Sequence, residues 1–237
     1  MNTASTLDTL IPAEGFSLVH RIRSATQLPP AGQATPALFL LHGVGANEAG
    51  LAELARRQDP RLAVFLLRAP LTFGPGQFGW FQVQFGPQGP VIRADQAEAS
   101  RQTLLRFIDE AVAAHGLAPQ RLWMAGFSQG GILSASVGLT RPDKVAGFGV
   151  LSGRILPEIT PQIAPREALK QTQAFVSHGT HDSKLTIEWA HKARALLEAH
   201  GVSLSYHEYP GVDHALTHEM AADFDTWLSA ALDRPAA

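Results

Sequence analysis

The chain contains no cysteine. That excludes disulfide cross-links, a thiol nucleophile and any metal site built on thiolates, and it fits a reducing compartment. Charge of one sign is also lacking. The formal net charge is −2, from 19 basic and 21 acidic residues, with no long run of either sign. Neither nucleic acid nor an anionic membrane surface is therefore an expected partner. Long apolar runs are missing too. The longest, such as 62–67, fall far short of the roughly 20 residues that span a bilayer, so no integral membrane segment is expected. Residues 1–11 carry no basic residue and no sustained apolar stretch, and do not read as a signal peptide. A cytoplasmic protein is the expectation. What is present suffices for a substantial core, since 45% of residues are hydrophobic and 17% charged. With 237 residues, one large α/β domain over 1–237 is expected, loose at 1–14 and 233–237.

Short apolar runs punctuate the chain. Those at 37–41, 62–67, 122–125, 145–151, 174–177 and 202–209 read as strands, mostly continuous as strands covered on both faces should be. Residues 16–23 alternate loosely, as an edge strand would. Helical patterns lie between the strands: 51–57, a segment that Asp95 can cap and Gly116 ends, 187–200, and a last helix with Met220, Phe224 and Leu228 at helical spacing. This alternation predicts a mostly parallel sheet with helices on both faces. In such sheets the chemistry gathers at the carboxyl ends of the strands. Residues 71–93 break the pattern as a long loop rich in Gly, Pro and aromatics, among them Phe73, Phe78, Trp80, Phe81 and Phe85. A loop of that length is usually functional or disordered, and the rings argue against disorder.

The chain is organised around Gly126-Phe127-Ser128-Gln129-Gly130. An apolar strand enters this run and a helix leaves it, so the G-x-S-x-G pattern reads as a nucleophile elbow. A serine hydroxyl needs a base, and the usual base is a histidine held by a carboxylate. Asp182 lies just past the strand at 174–177, and His214 just past the strand at 202–209. The order serine, acid, histidine is that of α/β-hydrolases. The alternatives are that Asp182 caps a helix, that His218 is the base, and that His178 and His181 bind a metal with Asp182. No open-site ligand set accompanies the last. Two amides are expected to form an oxyanion hole: that of Gln129, next after the serine, and that of Val44, in His42-Gly43-Val44-Gly45. Trp80 and Phe81 are expected to line the acyl or alcohol pocket, the alternative being that they fasten their loop to the core.

Taken together, Leu41-His-Gly-Val-Gly45, Arg68-Ala-Pro70 with Trp80-Phe81, Ala125-Gly-Phe-Ser-Gln-Gly-Gly131, His178-Gly-Thr-His-Asp182 and Gly211-Val-Asp-His214 resemble the phospholipase/carboxylesterase family. That family comprises small serine esterases, including acyl-protein thioesterases. The resemblance covers about residues 16–230. It implies an α/β-hydrolase fold with little or no cap, no cofactor, no metal, and a small-molecule acyl ester or thioester of short to medium chain as substrate. By position it carries the triad onto Ser128, Asp182 and His214 and the oxyanion donors onto Val44 and Gln129. One departure stands out. The family places two apolar residues shortly after the acid, and here Lys184 occupies the first of those positions. Such a lysine either extends outward or attracts an acidic or polar substrate. An acyltransferase or peptidase on the same fold, and a binding module that has lost catalysis, are the rival readings. Nothing specifies the oligomeric state, and a homodimer is left open.

Overall fold

The computed structural model describes residues 7, 9–86 and 89–234. Its centre is a seven-stranded sheet with the order β1-β3-β2-β8-β9-β10-β11. These strands are β1 (His20–Arg23), β2 (Thr35–Leu41), β3 (Ala63–Leu67), β8 (Leu117–Phe127), β9 (Gly147–Leu151), β10 (Gln173–Gly179) and β11 (Ser203–Tyr209). Only β1 runs antiparallel, on the edge beside β3. The inner strands β2, β3, β9 and β10 are buried almost throughout, which is why their sequences are apolar without alternation. The helices α1 (Ala52–Arg57), α2 (Ala94–His115), α3 (Gln129–Thr140), α4 (Arg166–Leu169), α5 (Ile187–Ala199) and α6 (His218–Leu232) cover it.

Two apolar layers flank the sheet, and the period of two sorts side chains between them. Phe39 and Leu41 point into one layer with Leu104, Phe107 and Leu133 from α2 and α3. Leu38 and Leu40 point into the other with Leu54 of α1 and Phe224 and Leu228 of α6. Every residue of α3 is buried. A helix apolar all round belongs inside, and its few hydroxyls are satisfied locally. Ser134, Ser136 and Thr140 donate to the carbonyls four residues back at 2.7–2.9 Å.

Three expectations change. The stretch 71–93 is two short hairpins, β4 (Leu71–Gly74) with β5 (Gln77–Gly79) and β6 (Val83–Gly86) with β7 (Gly89–Ile92). Asp95 does not cap α2. It lies inside the first turn and pairs with Arg93, the residue in the cap position. The amino-terminal stretch is tied down where it is described. Leu7 is buried, its carbonyl accepts from Arg21, and Ile11 bridges to His20. The remainder of the ends expected to be loose, 1–6, 8 and 235–237, lies outside the described residues. Asp233 is anchored by Arg61 at 2.7 Å.

Candidate active site

Ser128 sits between the last residue of β8 and the first of α3. Its φ of 54° and ψ of −115° are a conformation that side-chain-bearing residues rarely adopt and that costs about 1–3 kcal/mol. The turn is this tight because strand and helix press together. A Cβ on Gly126 would lie 2.5 Å from the Gly130 carbonyl carbon, and one on Gly130 would collide with the Leu41 carbonyl oxygen. Only glycine fits at either place. Strand β2 thus sets the approach, and the hydroxyl is left at the carboxyl end of the sheet.

A chain of hydrogen bonds runs from that hydroxyl. His214 Nδ1 lies 2.7 Å from Asp182 Oδ2. A carboxylate only accepts, so Nδ1 carries the proton. Nε2 of the neutral ring then keeps its lone pair and accepts from the Ser128 hydroxyl at 3.0 Å. The Phe127 ring, 4.9 Å away between centroids, backs the imidazole. The structure therefore brings Ser128, His214 and Asp182 together from three strand ends. It separates His218, which opens α6 and meets Arg57 Nη1 at 2.9 Å.

Asp182 is 3% exposed. Burial pushes its pKa up. Hydrogen bonds from His178, from His214 and from the Leu185 and Lys184 amides outweigh that and hold it well below the usual carboxylate range. The two amides reach Oδ1 at 2.8 and 2.9 Å. His178, fully buried, donates Nε2–H to the Leu185 carbonyl at 2.6 Å and lies 3.3 Å from Asp182 Oδ2, so the carbonyl is its principal acceptor. His181 is exposed and meets Thr180. No group of three or more His, Cys, Asp or Glu among the described residues could hold a metal ion.

Sequence reasoning missed the fastenings of these loops. Asp213 Oδ1 accepts from the amides of Ser183 and His214 at 2.8 and 2.7 Å, joining the loop of the acid to the loop of the histidine. Ser152, at the end of β9 with a φ of 50°, donates its hydroxyl to the Ala215 carbonyl at 3.1 Å. Their one sequence signal was adjacency, Asp213 to His214 and Ser152 to a strand end.

The loop after β2 is held equally firmly. His42 Nε2 accepts from the Ala69 amide at 3.1 Å, so its proton is on Nδ1, which donates to the Gly43 carbonyl at 2.7 Å. Burial lowers its pKa, so the ring stays neutral at pH 7. Gly45, at a φ of +76°, and Ala46 donate inside the loop or to Phe78. Val44, between Gly43 and Gly45, is 36% exposed and its amide takes part in neither bond. Gln129 is the first residue of α3, where amides have no partner inside the helix.

Trp80 and Phe81 require a correction. Their relative exposures are 0% and 1%, so neither presents a surface to a substrate. Trp80 Nε1 donates to the His42 carbonyl at 2.9 Å. The Gln129 side chain accepts from the Trp80 amide at 3.0 Å and donates to the Phe81 carbonyl at 2.7 Å. The two rings anchor their strap to the loop after β2 and to the elbow. Large rings with a hydrogen-bonded handle favour the interior. Lys184 is exposed and Leu185 buried, so the apolar support after the acid comes from the second position. A groove of about 690 Å³ lined by Pro119, Arg121, Gln173 and Ser203 lies at the amino ends of the strands, away from these residues.

A parallel sheet carrying a strained serine between strand and helix, with an acid and a histidine at later strand ends, defines an α/β-hydrolase. Solved structures agree on the fold. A carboxylesterase from Mesorhizobium loti superposes with a TM-score of 0.77 over 93% of this chain and 98% of its own, at 23% identity. The Bacillus cereus carboxylesterase gives 0.76 over 90% and 93%, at 22% identity. A sequence model of the Phospholipase/Carboxylesterase family matches residues 25–232, and the chain belongs to that family. Similar curated proteins include Acyl-protein thioesterase 1 of Gibberella zeae, 28% identical over 84% of this chain and 92% of its own. A probable carboxylesterase, SOBER1-like, of Arabidopsis thaliana is 30% identical over 81% and 77%.

Proposed function

We propose that this chain is a serine carboxylic ester hydrolase that cleaves short- to medium-chain acyl esters or thioesters through an acyl-enzyme intermediate. The observation that carries this reading is the hydrogen-bonded chain Ser128–His214–Asp182 on an elbow whose next amide opens a helix. Family membership and relatives named as thioesterases and carboxylesterases support the ester or thioester class.

Ser128 Oγ attacks the acyl carbon while His214 Nε2 takes its proton. The amides of Val44 and Gln129 receive the negative oxygen of the tetrahedral intermediate. One such donor is typically worth about 10²–10³ in rate. The intermediate collapses, the bond to the alcohol or thiol breaks, and the leaving group departs with the proton from His214. Water then gives its proton to the same nitrogen and attacks the acyl carbon, the bond to Ser128 Oγ breaks, His214 returns the proton to Oγ, and the carboxylic acid is released. Asp182 stays ionised throughout and holds the imidazole in the productive tautomer. We read the whole chain as one catalytic domain, and as cytoplasmic on its cysteine-free composition. A homodimer is compatible with this scheme and unnecessary to it.

Ser128→Ala should lower kcat on p-nitrophenyl butyrate by roughly three to six orders of magnitude and abolish labelling by a fluorophosphonate probe. Near-parental hydrolysis by that variant would sink the assignment.

A further inference from the structure

Arg154 lies just past the carboxyl end of β9 and is 4% exposed. Its Nε is buried with no hydrogen-bond partner, and no hydrogen bond or ion pair reaches its guanidinium among the described residues. The chain treats its other buried arginines differently. Arg101, also 4% exposed, bonds Glu98, Thr140 and Gln162. Arg23 shares the orphaned Nε, yet its Nη2 donates to the Gln58 and Asp59 carbonyls. Among the described residues Arg154 is held by a π face, with its Cζ 4.4 Å from the centroid of the Trp189 ring. Glu158 is the carboxylate whose charge it feels, without contact. A cation withdrawn from water with no hydrogen-bonded anion is costly to fold. A planar guanidinium backed by an aromatic ring is a preformed receptor for a carboxylate, which it grips through two parallel N–H groups.

Its place in the fold joins it to the chemistry. A Cβ on Gly153, the residue before it, would lie 3.1 Å from the Ser128 carbonyl oxygen. Ser152, one residue earlier, bonds the loop of His214. Trp189 stands in the first turn of α5, directly after the loop of Asp182 and Leu185. Strand ends β8, β9 and β10 are neighbours, about 4.8 Å apart as adjacent strands are. Lys192 lies 4.7 Å from the centroid of the same Trp189 ring, and its charge is met by the Glu188 carboxylate, so Arg154 is the cation that carries the site.

We propose that Arg154, backed by Trp189, receives a carboxylate of the substrate, so that the preferred esters or thioesters carry a second, anionic end, as half-esters of dicarboxylic acids do. This inference rests on the hydrolase reading of Ser128 for the word ester, and on Arg154 alone for the anion.

Two measurements keep these apart. In the first, glutarate and valerate are titrated calorimetrically into the full-length protein, with no catalysis involved. Glutarate should bind about tenfold or more tightly than valerate, Arg154→Gln should remove the difference, and Arg154→Lys should keep part of it. In the second, kcat/KM is compared for 4-nitrophenyl hemiglutarate and 4-nitrophenyl valerate. The parent's ratio should exceed about ten, and Arg154→Gln should bring it to about one. A parent that binds glutarate no better than valerate overturns the proposal whatever the variants do. So does a parent that cleaves both esters equally well, or an ester ratio that Arg154→Gln leaves where it was. A protein that binds glutarate through Arg154 yet cleaves neither ester would keep the anion site and sink the hydrolase reading instead.

Discussion

At the scale of single residues, Asp182 shows how environment assigns a role. It is almost fully enclosed, yet four donors converge on it and keep it ionised against the pull of burial. Asp182→Asn keeps the shape but sets an amide where the acceptor for His214 Nδ1–H should be, favouring the wrong tautomer. The expected loss in kcat is about four orders of magnitude. The same change has a pH signature. Because the folded pKa is depressed, Asp182 adds stability that is fully present above the unfolded value, about 3.9, and lost as pH falls through the folded one. Urea midpoints of parent and Asp182→Asn should converge on acidification from pH 5 to pH 2. A gap that stays constant over that range would contradict the depressed pKa. Ser128, Asp182 and His214 were legible because each follows directly on an apolar run, and a strand end is a position sequence can mark. Arg154 was not legible. Only packing shows that it is buried and unpartnered, and in sequence it is one arginine in a proline-rich loop.

At the scale of elements, the site is a clamp between the elbow and the loop after β2. Gly126 and Gly130 let β8, α3 and β2 touch, and the strap at 80–81 ties both sides through Gln129 and His42. Trp80→Phe keeps most of the ring and removes the N–H that reaches the His42 carbonyl. It should destabilise the protein by about 1–2 kcal/mol and lower kcat more than it raises KM, since the loop carrying Val44 loosens. A changed acyl preference with an unchanged melting temperature would return Trp80 to the substrate side. Here the sequence misled, because aromatic rings in a long loop look alike whether they face a ligand or the core. The hairpins at 71–92 were hidden for a similar reason. Their pairing depends on glycine turns and backbone partners, and they bury too little to imprint a period of two.

At the scale of the whole molecule, buried imidazoles link stability to pH. Burial lowers the pKa of His20 and His42. For such groups the unfolded chain binds the proton more readily, so stability rises with pH wherever it does. Their contribution is complete above about pH 6.5 and declines as pH falls from there toward the lowered values. Denaturant midpoints should therefore drop between pH 7.5 and pH 5.5, and His42→Gln should flatten part of that drop. An unchanged slope in the variant would remove His42 from the account.

The sequence by itself determined the layered α/β architecture, the family and the order in which a serine, an acid and a histidine meet the sheet. Local physics suffices for the architecture and the order, through the period and length of apolar runs and glycines where a turn allows no side chain, while the family rests on the resemblance of the motifs. Tertiary structure decided the rest. It set the hydrogen-bond distances that fix the tautomers of His42 and His214, sent Trp80 and Phe81 inside, and left Arg154 buried against Trp189 with no carboxylate in contact among the described residues. Those outcomes depend on residues far apart in the chain arriving at one place, and a linear pattern carries no record of which side chains will share a dry space.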